Sequence, residues 1–233
     1  MALSQTMMRE ACQFIKPGHR VASMGYPDIV APMGEVSAIL GERVKYLTYR
    51  DDSEAICKRH GLEQHPVPNA ESFFSLLGAQ LDVFDVVAER GCEIITDLNY
   101  PVEIWLRGSY DIVLDVGTLE HCFNIAQAGI NMAGMLKAGG VIFHENPFNW
   151  GNHGFYGLNP TWYADFYGQL GFVLSACCLL GKDGSGAMVP TTQRFQFTSA
   201  EANVFAVAKR VEILEIGFPI QTKYKKLIGA QHG

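Results

Sequence analysis

Three histidines and several carboxylates sit where the short apolar runs of this chain end, and these residues have chemistry to offer. His121, His144 and His153 carry imidazoles that titrate near neutral pH, so each could take a proton from a hydroxyl without a large pKa shift. Asp85, Asp97 and Asp115 each close an apolar run. In an open α/β sheet, ligands bind beyond the carboxyl ends of the strands, where the chain order reverses, so a polar side chain just past a strand is placed to hold one. Five stretches meet that description: Gly25 to Asp28, Asp85, Asp97-Leu98-Asn99, Asp115 to His121, and His144 to His153. Nearby, Trp150, Phe155, Tyr156, Trp162 and Tyr163 mingle with Asn146, Asn149, Asn152 and Asn159. Aromatic faces beside amide donors and acceptors suit a sugar ring, although the same residues would also serve as a loop covering the core. Asp115, Glu120, His121, His144 and Glu145 are the residues that could converge on a metal, yet no ligand spacing such as HExxH links them, and no metal is expected.

Those positions require particular elements. Arg20 to Met24, ending at Gly25, reads as a first strand, and Val44 to Tyr49 as an added strand inside an insertion at about 26–68. Asn69 to Gly78 reads as a helix, with Asn69 as N-cap, Glu71 in its first turn and Phe73, Phe74 and Leu77 on one face. Leu81 to Val86, Glu93 to Thr96 and Tyr110 to Asp115 read as strands. Only Val86 to Cys92 separates the first two of these, below the roughly 10 to 12 residues of a helical crossover. Either that crossover is irregular or the strand ending at Asp85 is misplaced. From Asn124, Ile125, Met132 and Leu136 define a helical face that Gly139-Gly140 terminates before the strand Val141 to His144. Thr161 to Leu170 predicts a helix and Phe172 to Leu180 a strand. Gly181 to Gln196 reads as a glycine-rich hairpin loop, and Val204 to Lys209 as a strand returning antiparallel. The pattern is α/β, a Rossmann-like doubly wound, mostly parallel sheet with an antiparallel C-terminal strand. One domain is expected over residues 1–233, with a tail at about 212–233.

With 233 residues and 48% hydrophobic content, the chain can bury one sizeable core. A net charge of −6 argues against a phosphate-neutralising surface, so nucleic acid is not an expected partner. The run Lys223-Tyr224-Lys225-Lys226 is too short to reverse that. Cys12, Cys57, Cys92, Cys122, Cys177 and Cys178 form no CxxC pair and are expected to be reduced. Met1 to Arg20 has no secretory-type apolar run, and no stretch reaches the roughly 18 apolar residues of a membrane span, so a cytoplasmic protein without membrane contact is expected.

Read together, these stretches resemble the motif series of class I S-adenosylmethionine (SAM)-dependent methyltransferases, particularly a bacterial branch found among polysaccharide and secondary-metabolite genes, over about residues 20 to 210. Tyr110-Asp111-Ile112-Val113-Leu114-Asp115-Val116-Gly117-Thr118-Leu119-Glu120-His121 resembles the family's fourth strand and its "LEH" turn. Leu136-Lys137-Ala138-Gly139-Gly140-Val141-Ile142 resembles the "LKPGG" entry to strand five, and Asn152-His153-Gly154-Phe155-Tyr156 with Asn159-Pro160 and Tyr163 a substrate-side segment. Where most members carry GxGxG, this chain has Gly25-Tyr26-Pro27-Asp28, with one glycine left for close backbone approach.

The resemblance implies SAM as cofactor, S-adenosylhomocysteine as product, and transfer of a methyl group to a small polar acceptor such as a sugar hydroxyl. It implies that Gly25, Tyr26, Pro27 and Asp28 face the methionine end, and that Asp85 grips the ribose, with Asp51 or Asp52 as alternative. It further implies that Asp97, Leu98 and Asn99 read the adenine and that Asp115, Gly117 and Thr118 complete the cofactor site. Glu120, Asn146, Asn149, Asn152, Tyr156 and Tyr163 would face the acceptor. His153 ranks ahead of His121 and His144 as base. The shortened glycine turn leaves open a non-catalytic relative kept as a binding or partner subunit. A nicotinamide-dependent oxidoreductase lacks its GxGxxG here. The insertion either lids the pocket or builds the contact of a homodimer.

Overall fold

Apolar runs that alternate side chains between two buried faces, joined by amphipathic helices, fold into an eight-stranded twisted sheet beside a small two-stranded one in a computed structural model describing residues 2–181, 186–189, 193–195 and 201–229. In chain order the elements are β1 (Ala2–Leu3), α1 (Gln5–Cys12), β2 (Arg20–Met24), β3 (Asp28–Ile29), α2 (Met33–Leu40), α3 (Ser53–His60), α4 (Ala70–Leu76), β4 (Gln80–Asp85) and β5 (Glu93–Ile95). They continue with β6 (Tyr110–Asp115), α5 (Ile125–Met135), β7 (Leu136–Pro147), α6 (Pro160–Gln169), β8 (Phe172–Gly181), β9 (Gly186–Met188), β10 (Ala202–Arg210) and α7 (Thr222–Gly229). The main sheet has the order β5-β4-β2-β6-β7-β10-β8-β9, parallel from β5 through β7. β10 inserts antiparallel between β7 and β8, and β9 pairs antiparallel with β8. This is the Rossmann-like, doubly wound α/β architecture with an antiparallel C-terminal return. From β2 the chain works outward to β4 and β5, then returns to β6 on the other side of β2. The crevice for a ligand therefore opens above β2, between β4 and β6.

Alternate strand residues feed two cores. Ala22, Val113, Ile142 and Ala206 pack beneath α5 and α6, while Val21, Ile112, Leu114, Phe143 and Phe205 pack beneath α1, α2 and α4. Asn69 caps α4 by accepting from the Ser72 amide at 2.8 Å, and Asn124 caps α5 by accepting from Gln127.

Two expected elements come out differently. Val44 to Tyr49 is not a strand: residues Gly41–Tyr46 form a 3₁₀ helix, and Tyr49 makes only an isolated bridge to Pro68. Val44 and Leu47, three residues apart, both pack on the second core, a spacing that suits a 3₁₀ turn and not a strand. Gly139-Gly140 does not end α5, which stops at Met135; the pair lies inside β7, where the register with β6 slips from Tyr110↔Leu136 to Ile112↔Val141. Gly139 there takes φ +81°, and a side chain on Gly140 would collide with Leu136 and the Asp111 carbonyl. The β4–β5 crossover is an irregular loop without a helix, pinned by Arg90 and Cys92 amides donating to the Glu93 carboxylate. Of the expected 181–196 hairpin, β9 is seen, while 182–185, 190–192 and 196 lie outside the described residues.

The insertion carries α2 and α3 and a small apolar cluster of Ile56, Cys57 and Val67. Lys223 and Lys225 on α7 are exposed, and all six cysteines are free thiols. Among the described residues no helix is long and apolar enough to cross a membrane.

Candidate active site

At the crevice, β2 and β4 end in register, Met24 opposite Phe84, so the residues that follow, Gly25 and Asp85, become neighbours. The Gly25 amide donates to the Phe84 carbonyl at 2.7 Å, and its φ of +84° is a left-handed conformation that glycine adopts without strain. Thr118, arriving past β6, donates its hydroxyl to the Met24 carbonyl at 2.6 Å and brings the third strand end alongside. A cavity of about 180 Å³ results, lined by Gly25, Asp85, Asp97, Leu98, Asn99, Thr118 and His121 together with Phe84, Val86, Thr96 and Cys122. The last four are apolar or small residues with no polar signature to single them out.

The Asp97–Asn99 side of this cavity is a turn: Asp97 Oδ1 accepts from the backbone and side-chain nitrogens of Asn99 at 2.9 and 2.7 Å. It is tied to α5 by Asn131, a buried amide that sequence reasoning missed. Asn131 Nδ2 donates to the Leu98 and Tyr100 carbonyls, and its Oδ1 accepts from the Val102 amide. A polar residue among Ala128, Met132 and Met135 on the buried face of a helix was the available signal. Asn131→Leu strands two carbonyls and an amide, and should destabilise the protein by about 2–4 kcal/mol while loosening the loop that carries Asp97. Urea denaturation checks the first effect, and faster amide exchange at Leu98, Asn99, Tyr100 and Val102 checks the second.

A second cavity, of about 250 Å³, lies on the other side of His121, which lines both. Its walls include Gly117, Glu120, Glu145, Trp150 and His153, with Ser4, His60 and Asn203 supplied by distant segments. The Glu120 side chain is fully buried, whereas those of His121 and His153 are 48% and 41% exposed. Both imidazoles aim Nε2 at Glu120 Oε1, at 3.8 and 3.6 Å. Burial, then the nearby Asp115 charge, pushes the Glu120 carboxyl up to about 8. Burial and then the neighbouring His153 lower the His121 pKa.

Behind this wall runs a closed polar network. Strand alternation puts His144 and Asn146 of β7 on the α6 side, and the register pairs His144 with Asp115 of β6. Tyr163 and Tyr167, one helical turn apart on α6, face them. Asp115 Oδ2 accepts from His144 Nδ1 at 2.7 Å and Asn146 Nδ2 at 2.9 Å, and its Oδ1 from the Thr118 and Leu119 amides. Tyr167 bonds His144 Nε2 at 2.6 Å, Tyr163 donates to Asn146 Oδ1 at 2.6 Å, and Asn146 also donates to Glu120 Oε2 at 2.9 Å. Burial raises the Asp115 pKa, but the hydrogen bonds and charge of its partners, His144 foremost, hold it below the usual carboxylate range.

Several expected site residues lie elsewhere. Tyr26 and Asp28 are buried away from the first cavity: the Tyr26 hydroxyl accepts from the Ala70 amide, and Asp28 faces Arg59, His60 and Arg90 at 3.5–3.7 Å. Pro27, between them, is buried too and lines neither cavity. Asp52 is paired with Arg50 and Arg90 and is not in the wall; the other alternative, Asp51, is exposed and also outside it. His144 cannot reach an acceptor directly, since it is fully buried with both ring nitrogens bonded. Asp115, Asn146 and Tyr163 are buried in the network and line neither of the two cavities. Asn149 accepts from the Ala202 amide, and Asn152 sits exposed at φ +57°. Tyr156 bonds the Phe123 carbonyl and borders a separate hollow of about 570 Å³ with Trp162 and Phe218. Another hollow of that size lies beside Arg107 and Lys137, near the amino ends of β6 and β7 and opposite the crevice. Strand-end chemistry and not volume selects the two smaller cavities.

No protein-family profile matches the chain, and no curated protein matches it in sequence. Solved structures resemble it in outline. The Burkholderia thailandensis 1,6-didemethyltoxoflavin-N1-methyltransferase, solved with 1,6-didemethyltoxoflavin and S-adenosylhomocysteine bound, is 13% identical at a TM-score of 0.47, covering 88% of this chain and 78% of its own. A 16S rRNA (adenine(1408)-N(1))-methyltransferase variant from Catenulisporales acidiphilia is 10% identical at 0.44, covering 90% and 94%. A SAM-dependent methyltransferase from Aquifex aeolicus is 8% identical at 0.43, covering 87% and 88%. The fold itself rests on the strand order of this chain.

Proposed function

We propose that this protein is a SAM-dependent methyltransferase acting on a small polar acceptor, a hydroxyl of a sugar or related metabolite. The observation that carries the reading is the sharing of His121 by two cavities at the sheet's switch point, one walled by strand-end carboxylates and the other by imidazoles, carboxylates and Trp150. Asp85 accepts from the two ribose hydroxyls, Asp97 and the Leu98 backbone read the adenine, and Gly25 with Thr118 admits the methionine end. The acceptor occupies the second cavity, its ring against Trp150. Bound across Asp85, Asp97 and Thr118, SAM would supply an electrophilic methyl for in-line transfer to the acceptor oxygen, its sulfur keeping the electron pair of the broken C–S bond as S-adenosylhomocysteine. His153, or His121 beside it, takes the hydroxyl proton.

Binding to the native state raises Tm, so SAM and S-adenosylhomocysteine are expected to raise it in a thermal-shift assay. Absence of any shift at millimolar ligand rules the reading out. A second reading, a methyltransferase fold kept as a binding subunit, draws on the sequestered Tyr26 and Asp28, which leave the first turn with few polar groups. It is favoured if the ligand binds but mass spectrometry finds no methylated product across a panel of polyols and sugars.

A further inference from the structure

We propose that Glu120, His121 and His153 form a binding site for one divalent first-row transition-metal ion of the zinc class, with an open coordination position facing the second cavity. One carboxylate oxygen and two imidazole nitrogens lie within 4.8 Å of one another, with Oε1 of Glu120 the point on which both Nε2 atoms converge. Ligand atoms about 2.0–2.1 Å from one tetrahedral ion stand about 3.3 Å apart, so the two Glu120–imidazole distances, 3.6 and 3.8 Å, need to close by only a few tenths of an ångström, and the imidazole–imidazole distance, within 4.8 Å, closes by rotation of the two rings. Both histidine side chains are partly exposed, at 48% and 41%, and their ring centroids lie 5.2 Å apart.

The second, independent observation is Glu120 itself. Its side chain is fully buried, and among the described residues Oε1 has no hydrogen-bond partner. A buried carboxylate oxygen without a partner is costly, and a cation supplies what it lacks. The surroundings are arranged around that oxygen. Gly117 leaves space where a Cβ would approach Oε1 at 3.2 Å, and Gly154 lets the His153 loop settle on the Glu120 backbone, where a Cβ would meet its carbonyl at 2.9 Å. The other oxygen, Oε2, is fixed by Asn146, itself held by Asp115 and Tyr163, the outer-sphere anchoring that orients metal-ligating side chains. Two imidazoles with one carboxylate favour zinc, cobalt or nickel over magnesium, which prefers oxygen ligands.

The proposal stands on this geometry and does not depend on methyl transfer. A bound ion would occupy both Nε2 atoms, so these side chains would then serve as ligands and not as proton acceptors. The test uses the full chain, stripped with chelator and titrated with Zn²⁺ by calorimetry, and separately with Co²⁺ while its visible spectrum is followed. One equivalent of Zn²⁺ should bind with micromolar or tighter affinity, and Co²⁺ should give the intense visible bands of a four- or five-coordinate site, with no binding of Mg²⁺. His153→Ala, on an exposed loop and with unchanged circular dichroism, should weaken Zn²⁺ by more than about 100-fold, since even outer-sphere changes cost ~10–100-fold. Glu120→Gln should do the same. Absence of Zn²⁺ binding in the micromolar range overturns the proposal. So does binding that His153→Ala leaves intact, which would place the ion elsewhere, for instance at Cys57 and His65, whose Sγ and Nδ1 lie 3.7 Å apart.

Discussion

Asp115→Asn should lower the stability of the protein by about 3–5 kcal/mol, the usual cost of removing one partner from a buried charged network, and lower Tm by about 6–20 °C. The carboxylate is fully buried and accepts four hydrogen bonds, from His144, Asn146 and the amides of Thr118 and Leu119. An amide in its place keeps one acceptor oxygen for the two backbone donors. Its NH₂ group then meets the His144 Nδ1 proton and the Asn146 amide, three donors converging with nothing to accept. A tautomer change at His144 relieves one clash, and Tyr167 then accepts from Nε2, but the Tyr167 hydroxyl proton loses its acceptor in a fully buried place. Asn146 cannot turn over without losing Tyr163. The pH dependence has a definite sign. Asp115 has a lowered pKa in the folded state, so its contribution is present above the unfolded carboxylate pKa of about 3.9 and is lost as pH falls through the folded value. The gap between wild type and variant should therefore be full at pH 7 and shrink only in strong acid. Calorimetry of both proteins at neutral and acid pH checks this; equal Tm values at pH 7 would show that the network contributes nothing.

This network also marks where the sequence stops being readable. Strand ends were legible because buried parallel strands are short apolar runs, and a carboxylate closing one stands out; Asp85, Asp97 and Thr118 come together as the strand order requires. Period two also puts His144 and Asn146 on one face, and a four-residue spacing puts Tyr163 and Tyr167 on one face of α6. Nothing local says that these two faces meet, so His144 reads from sequence as a free base. Tyr26 and Asp28 read as ligand-facing for the same reason. Their direction is set by Arg50, Arg59 and Arg90, which arrive from the insertion and from the irregular β4–β5 loop. Ser4, His60 and Asn203 reach the second cavity from three remote segments, and no periodicity connects them. The insertion, which sequence leaves as lid or dimer contact, delivers His60 to that wall through the last residue of α3.

The second large effect expected is on ligand binding. Asp85→Ala should abolish the S-adenosylhomocysteine thermal shift, because a carboxylate gripping two adjacent ribose hydroxyls makes two charge-assisted bonds of about 1.5–3 kcal/mol each, or about 10²–10⁴ in affinity together. Stability should hardly change. Among the described residues the Asp85 side chain accepts only from the Val86 and Val87 amides, in an exposed loop where water replaces it, so the truncation costs at most about 1 kcal/mol. Asp97→Ala should weaken binding less, since the backbone of Leu98 still contributes and the loop stays anchored to Asn131. Asp52→Ala supplies the contrast. Its carboxylate is engaged by Arg50 and Arg90 and does not line the first cavity, so the affinity should stay at the wild-type value even if the insertion loosens. The two variants thus separate a ribose contact from a structural ion pair. Were Asp52→Ala to remove the shift and Asp85→Ala to leave it, the nucleoside would have to lie over the insertion instead of above β2, and the roles of Asp97 and His121 would fall with that of Asp85.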